Sequence, residues 1–292
     1  MTPIPLSPLA GRRCQEALNA LHSTVYFSPD FAESLAEYGV DDSMAVYLAG
    51  RAGPLGPVAA GTVTAAFYGF AHPLIAEHLP HVWSLVPPAT VVELRLAAVD
   101  ALLRRHLGEE TLASAGMAEA ARLALSAAEA GQRAGRPMFS AHADQPVPQE
   151  PHLALWYAAT LLREHRGDAH IAALQHAELD GIDALVSHCA SGDGMPKEVV
   201  MTKRGWTEAD WSAAEDRLRE RGLMDADGAL TAHGELLRTQ LEAETDRLDR
   251  APYEHLGAES VARLTGLAEA FTAQAAASGA FPPELLAFFG KR

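Results

Sequence analysis

Cysteine is scarce in this chain. Cys14 and Cys189 are the two in 292 residues, too few and too far apart for a disulfide framework or a cysteine metal cluster. No apolar run approaches the roughly 20 residues needed to span a bilayer, which argues against a membrane protein. The opening MTPIPLSPLAGRRC has no basic start followed by an apolar stretch, so it does not read as a secretory signal, and a cytoplasmic location is expected. Also missing are a Walker loop, a GxGxxG fingerprint, a GxSxG elbow and a CxxC pair, so no nucleotide or flavin cofactor is expected. Positive charge is in short supply: 23 Lys and Arg face 38 Asp and Glu, for a net charge of −15. Nucleic-acid binders draw much of their affinity from neutralising phosphates, so this balance disfavours DNA as the main partner.

What is present is alanine and leucine at helical spacing, with apolar residues making up 48% of the chain. Helices are predicted over about 9–22, 30–38, 42–51, 58–78, 88–107 and 115–134, then 151–177, 180–190, 196–202 and 207–221. The Pro- and Gly-rich AGRPMFSAHADQPVPQEPH, 134–152, reads as a linker. It divides the chain into a helical N-terminal domain, 1–147, and a second domain, 148–292. The helix TVVELRLAAVDALLRRHL is apolar nearly all round, yet Arg95 lies on its stripe with Val91, Val99 and Leu102. Such an arginine needs an ion-pair partner, a bound anion or a route to water.

The most informative stretch is LLREHRGDAHIAAL, 161–174. Leucine and alanine flank it as in a core helix, yet Glu164, His165, Arg166, Asp168 and His170 interrupt the apolar stripes. His165 can meet Asp168 at i+3, and Arg166 can meet His170 at i+4. Three readings follow. One is a buried ion network that locks the fold. Another is a small-molecule pocket in which Arg166 holds an anionic group and a histidine sets orientation. The third is a catalytic pair, with Asp168 orienting His165 for proton transfer. A metal site is disfavoured, because His165 and His170 are five apart and diverge by roughly 140° on a helix. His72, His78 and His81 give only a weak loop cluster.

After this helix the predicted order is helix, short helix, helix, a hairpin with strands at 223–225 and 229–231 around Asp227-Gly228, and a long helix opened by Thr231. That is the order of a winged helix-turn-helix domain. RLRERGLMDADGALTAHGELLRTQLEAETDRL resembles the wing of the MarR family of regulators, in which a Gly-Leu pair ends a helix, a hairpin follows and LT..G begins the dimerisation helix. Over nearly its whole length the chain is also similar to an actinobacterial helix-turn-helix family, through YF and RAGPLG early on, LWYAATLLREHRGDAHIAAL in the middle, and RGW and E..TD later.

The MarR resemblance implies a mainly α fold, with a winged helix in the C-terminal half. The N-terminal half could stand in for a second subunit as a pseudo-dimer. It further implies a ligand cleft near the dimerisation helices, to which Tyr68, Arg95 and Trp156 are assigned with Glu164, Arg166 and His170. The would-be recognition helix, 207–221, carries five acids against three arginines, and its wing, DADG, is acidic. The expectation is a winged-helix scaffold that has lost DNA binding and takes a small polar or anionic organic ligand. It would sequester or sense that ligand, or convert it without a cofactor. The alternative is a MarR-like DNA-binding regulator.

Overall fold

A computed structural model describes residues 6–7, 9–192 and 194–282. Among them are sixteen α-helices: α1 Ala10–Ser23, α2 Asp30–Ala36, α3 Ser43–Ala52, α4 Ala60–Phe67, α5 His72–His78, α6 His81–Leu85, α7 Pro88–Leu112, α8 Ala115–Glu129, α9 Pro137–Ala143, α10 Pro151–His176, α11 Gly181–Ala190, α12 Lys197–Arg204, α13 Glu208–Glu220, α14 Ala232–Asp249, α15 Ala251–Leu256 and α16 Ala258–Ala277. The described residues contain no strand longer than a single antiparallel bridge between Met224 and Leu230. The predicted hairpin is therefore reduced to one bridging pair around its turn.

Local chemistry sets many of these boundaries. Asp42 caps α3 by accepting from the Met44 and Ala45 amides, and Asp180 caps α11 through Ile182 and Asp183. Thr207 and Asp210 form a reciprocal capping box at the start of α13. The helix predicted over 58–78 is broken into α4 and α5, because Tyr68 adopts a positive φ of 58° and ends α4. Its carbonyl oxygen packs against Gly181, where a Cβ would overlap it. The predicted linker also holds a helix, α9, which Pro137 opens from a first-turn position that needs no N–H.

The chain folds into two compact units: residues 1–57, 82–166 and 249–292 in the first, and 58–81 and 167–248 in the second. These do not follow the predicted cut at 147/148. The Pro-rich stretch is a connection within the first unit, and α10 has residues in both units. The first unit packs α1, α7, α8, α10 and α16 around Leu18, Leu103, Met117, Leu155, Leu162 and Leu264. Residues 152–162 of α10 are buried on every side, which explains why no polar stripe marks that part of the helix. The second unit has its own core of Leu174, Ile182, Val186, Trp211, Leu218 and Leu241.

Candidate functional site

The polar centre of α10 is sorted between different neighbours. Successive helical residues turn by roughly 100°, so Glu164 and His165 face different surroundings. Glu164 is buried within the first unit and receives a two-pronged contact from Arg51 of α3, with Nε 3.2 Å from Oε1 and Nη2 2.9 Å from Oε2. Its own neighbour Arg163 pairs with Oε1 as well. Burial pushes the Glu164 carboxyl up, but Arg51 and Arg163 outweigh it and hold the group well below the usual carboxylate range.

A third guanidinium belongs to this cluster. Arg95 of α7 is 6% exposed; it donates to the Gly50 carbonyl at 2.8 Å and, at 3.4 Å, to the Tyr26 hydroxyl. No carboxylate among the described residues pairs with it. Its guanidinium lies over the Trp156 indole, 5.0 Å from the ring centroid, while His22 stacks on the same indole at 4.8 Å with a 12° interplanar angle. The indole thus meets an imidazole and a guanidinium at once.

Glu164 thus pairs with Arg51 and Arg163 and not with Arg95, so one carboxylate stands against three guanidiniums and two positive charges are in excess. The nearby histidines add none. Burial, then Arg163 and Arg95, drive His22 well below its ordinary range; burial, with Arg95 and Arg51, lowers His142 of α9 to about 4. Arg163 and Tyr47 are half-buried and Tyr26 is exposed, so these three border the cluster toward solvent.

His165 faces a different partner. Its Nδ1 lies 2.5 Å from Asp249 Oδ1, both groups being buried, and the ring edge meets Phe139. Asp249 is also 3.9 Å from Arg166, and Arg136 donates to the His165 carbonyl at 2.7 Å. Burial raises the Asp249 carboxyl despite these cations. The acid that orients His165 is therefore Asp249, 84 residues away, and not the predicted Asp168, which is buried in the second unit. His170 and Tyr68 also belong to that unit. His170 Nδ1 meets the Thr245 hydroxyl at 2.9 Å, and the Tyr68 hydroxyl donates to the Leu179 carbonyl at 2.6 Å. Of the predicted site residues, the structure gathers Glu164, Arg95 and Trp156 in one cluster, and places His165 and Arg166 about Asp249.

The second unit presents α12, a turn at Gly205-Trp206, and α13. The three arginines of the α13 segment are engaged internally. Arg217 is held by Asp183 at 2.6 Å, Arg219 by Glu215 and Asp216, and Arg221 by the carbonyls of Ala177 and Glu178. Lys197 pairs with Glu208 at 2.8 Å, and Arg204 lies over the Phe70 ring. The exposed residues of α13 are Glu208, Ala209, Asp210, Ser212, Ala213, Asp216 and Glu220. Lys203 is left as an exposed cation in this stretch.

A family profile described as a helix-turn-helix family matches residues 11–282. The chain belongs to that helix-turn-helix family. No curated protein and no solved structure matches it. Membership covers both compact units, so the Arg51–Arg95–Arg163 cluster lies inside the family's matched span and is no appendage to it. Among the described residues no group of three or more His, Cys, Asp or Glu could hold a metal ion, and no single helix is long and apolar enough to cross a membrane.

Sequence reasoning missed Arg51, Arg163, His22, His142, Tyr26, Tyr47 and Asp249. A signal did exist for some of them. Tyr26 opens YF, Arg51 opens RAGPLG, and Arg163 stands inside LLREHRGDAHIAAL, so three separate stretches that carry the family resemblance converge on one buried cluster.

Proposed function

We propose that this protein binds a small organic anion at the Arg51–Arg95–Arg163 cluster, on a winged-helix scaffold whose recognition helix has lost its grip on DNA. One observation carries the reading: Arg95 is buried with a carbonyl and a phenol for partners and no carboxylate. A buried cation without a countercharge is costly, and arginine's planar fork suits carboxylate and phosphate groups. An incoming anion would supply the missing charge, approaching from the side of exposed Tyr26 and half-buried Tyr47. The protein would sequester or sense this compound. Conversion without a cofactor would draw on the His165–Asp249 pair, a carboxylate-oriented imidazole suited to proton transfer.

Native mass spectrometry of protein purified from its own host tests the ligand directly. The expected spectrum shows a retained low-mass anion that Arg95→Leu protein lacks. Identical spectra from folded wild type and variant would remove Arg95 from ligand binding.

The second reading is a DNA-binding regulator, and membership of the helix-turn-helix family favours it. The order α11, α12, α13, bridge, α14 supports a winged-helix reading of this unit. Against phosphate binding stand the internally paired arginines and the small or acidic exposed residues of α13. Affinity for random duplex at about 0.15 M salt is expected to be weaker than the usual non-specific range of roughly 10⁻⁴–10⁻⁶ M. Sequence-selective retention of genomic fragments would instead establish the regulator.

A further inference from the structure

Several buried polar atoms of the first unit, His142 Nε2 and His165 Nε2 among them, make no hydrogen bond, and in His22 both ring nitrogens are in that position. His22 is fully buried at the end of α1. The other buried imidazoles here are tethered: His142 Nδ1 lies 2.9 Å from the Met138 carbonyl, and His165 Nδ1 meets Asp249. The His22 ring is held by packing alone, stacked on Trp156 and set edgewise to Tyr26 at 6.0 Å. Buried polar groups are nearly always satisfied, and those that are not call for a reason such as a bound molecule.

We infer that the ligand of this cluster is a hydroxy acid, its anionic group held by the arginines and its hydroxyl exchanging a hydrogen bond with His22. This rests on the anion-binding reading above and narrows the class of compound. A neutral imidazole offers one donor and one acceptor nitrogen. A second carboxylate could only accept, so it could meet the N–H nitrogen, as Asp249 meets His165, but could not serve the acceptor nitrogen. An ammonium group would be repelled by the excess of arginine charge, which disfavours amino acids. A hydroxyl both donates and accepts through one atom, so it suits either nitrogen in either tautomer.

The test is calorimetric titration of the full chain with matched acids: propionate and lactate, succinate and malate, benzoate and 2-hydroxybenzoate. In wild type, the hydroxy member of the pair whose skeleton fits is expected to bind about 10-fold tighter, the scale of one net hydrogen bond. His22→Phe keeps an aromatic ring against Trp156 and should equalise that pair. His22→Gln keeps a donor and an acceptor and should retain part of the preference. Ligand-free His22→Phe should also melt about 2–4 °C higher, because two unsatisfied polar atoms are gone. If plain acids bind wild type as tightly as their hydroxy partners, or the preference survives in His22→Phe, the inference falls and the anion site stands. If no acid in the series binds wild type, the anion-site reading falls with it. The wild-type comparison decides between these even if a variant fails to fold.

Discussion

Glu164→Gln is expected to lower the unfolding free energy by about 3–5 kcal/mol, the usual consequence of removing one partner from a buried ion pair. The substitution keeps shape and volume, so the loss is electrostatic. Arg51 loses a bidentate acceptor, Arg163 loses its carboxylate, and three guanidiniums then share a buried region with no countercharge. A second result distinguishes this cluster from an ordinary structural ion pair. If the excess charge serves to attract an anion, millimolar phosphate should raise the melting temperature of Glu164→Gln more than that of wild type, because the variant's need for negative charge is greater. Chemical denaturation measures the first quantity, and thermal melts with and without phosphate measure the second. A variant as stable as wild type would show that Glu164 does not hold the arginines in place.

The distribution of charge along α10 explains which parts of this arrangement sequence could reveal. Glu164, His165, Arg166, Asp168 and His170 stand out because they interrupt an apolar helix, and periodicity detects an interruption directly. Their partners could not be found that way. Arg51 lies 113 residues from Glu164 and Asp249 lies 84 from His165, and helical spacing relates only residues within a turn or two. The i+3 rule therefore offered Asp168 to His165, while tertiary packing supplied Asp249. The helices were legible where they were long and regularly patterned. α9 was not, because prolines surround it, and the break at Tyr68 was not, because a positive φ at a non-glycine residue leaves no compositional mark.

The same limit applies to the helix-turn-helix face. The sequence gives α13 a net acidic balance, but the positions of its arginines relative to Asp183, Asp180 and the Ala177 and Glu178 carbonyls emerge only from the fold. That internal engagement matters more than the charge count. A free arginine at the end of an acidic helix could still reach a phosphate; one committed to Asp183 would have to break a partly buried pair to do so. In both units, then, the arginines inform the functional reading by their partners: saturated in α13, under-neutralised around Glu164.

Acid should expose the two neutral histidines of that cluster. In the unfolded chain His142 takes a proton below about pH 6.5, whereas in the folded protein burial, with Arg95 and Arg51, delays this to about 4. Between those values the unfolded state binds more protons, so stability rises with pH and is lost as pH falls from about 6.5 to about 4. At about 1.36 kcal/mol per pH unit of difference, His142 alone accounts for a loss of about 3 kcal/mol. His22 is lowered by burial and by Arg163 and Arg95, and acts in the same direction. Glu164 reinforces the trend below its unfolded value near 4.5, since its folded carboxyl is depressed. Asp249 opposes it, because burial raises its folded pKa and protonation there favours the folded state. Urea unfolding at intervals from pH 7.5 to 4 should show a steep decline beginning near 6.5, reduced in His142→Phe and reduced further in the His22→Phe/His142→Phe double variant. A wild-type profile flat from pH 7 to 5 would mean that these histidines take up protons as readily in the folded as in the unfolded state, and that neither is held neutral by the cluster.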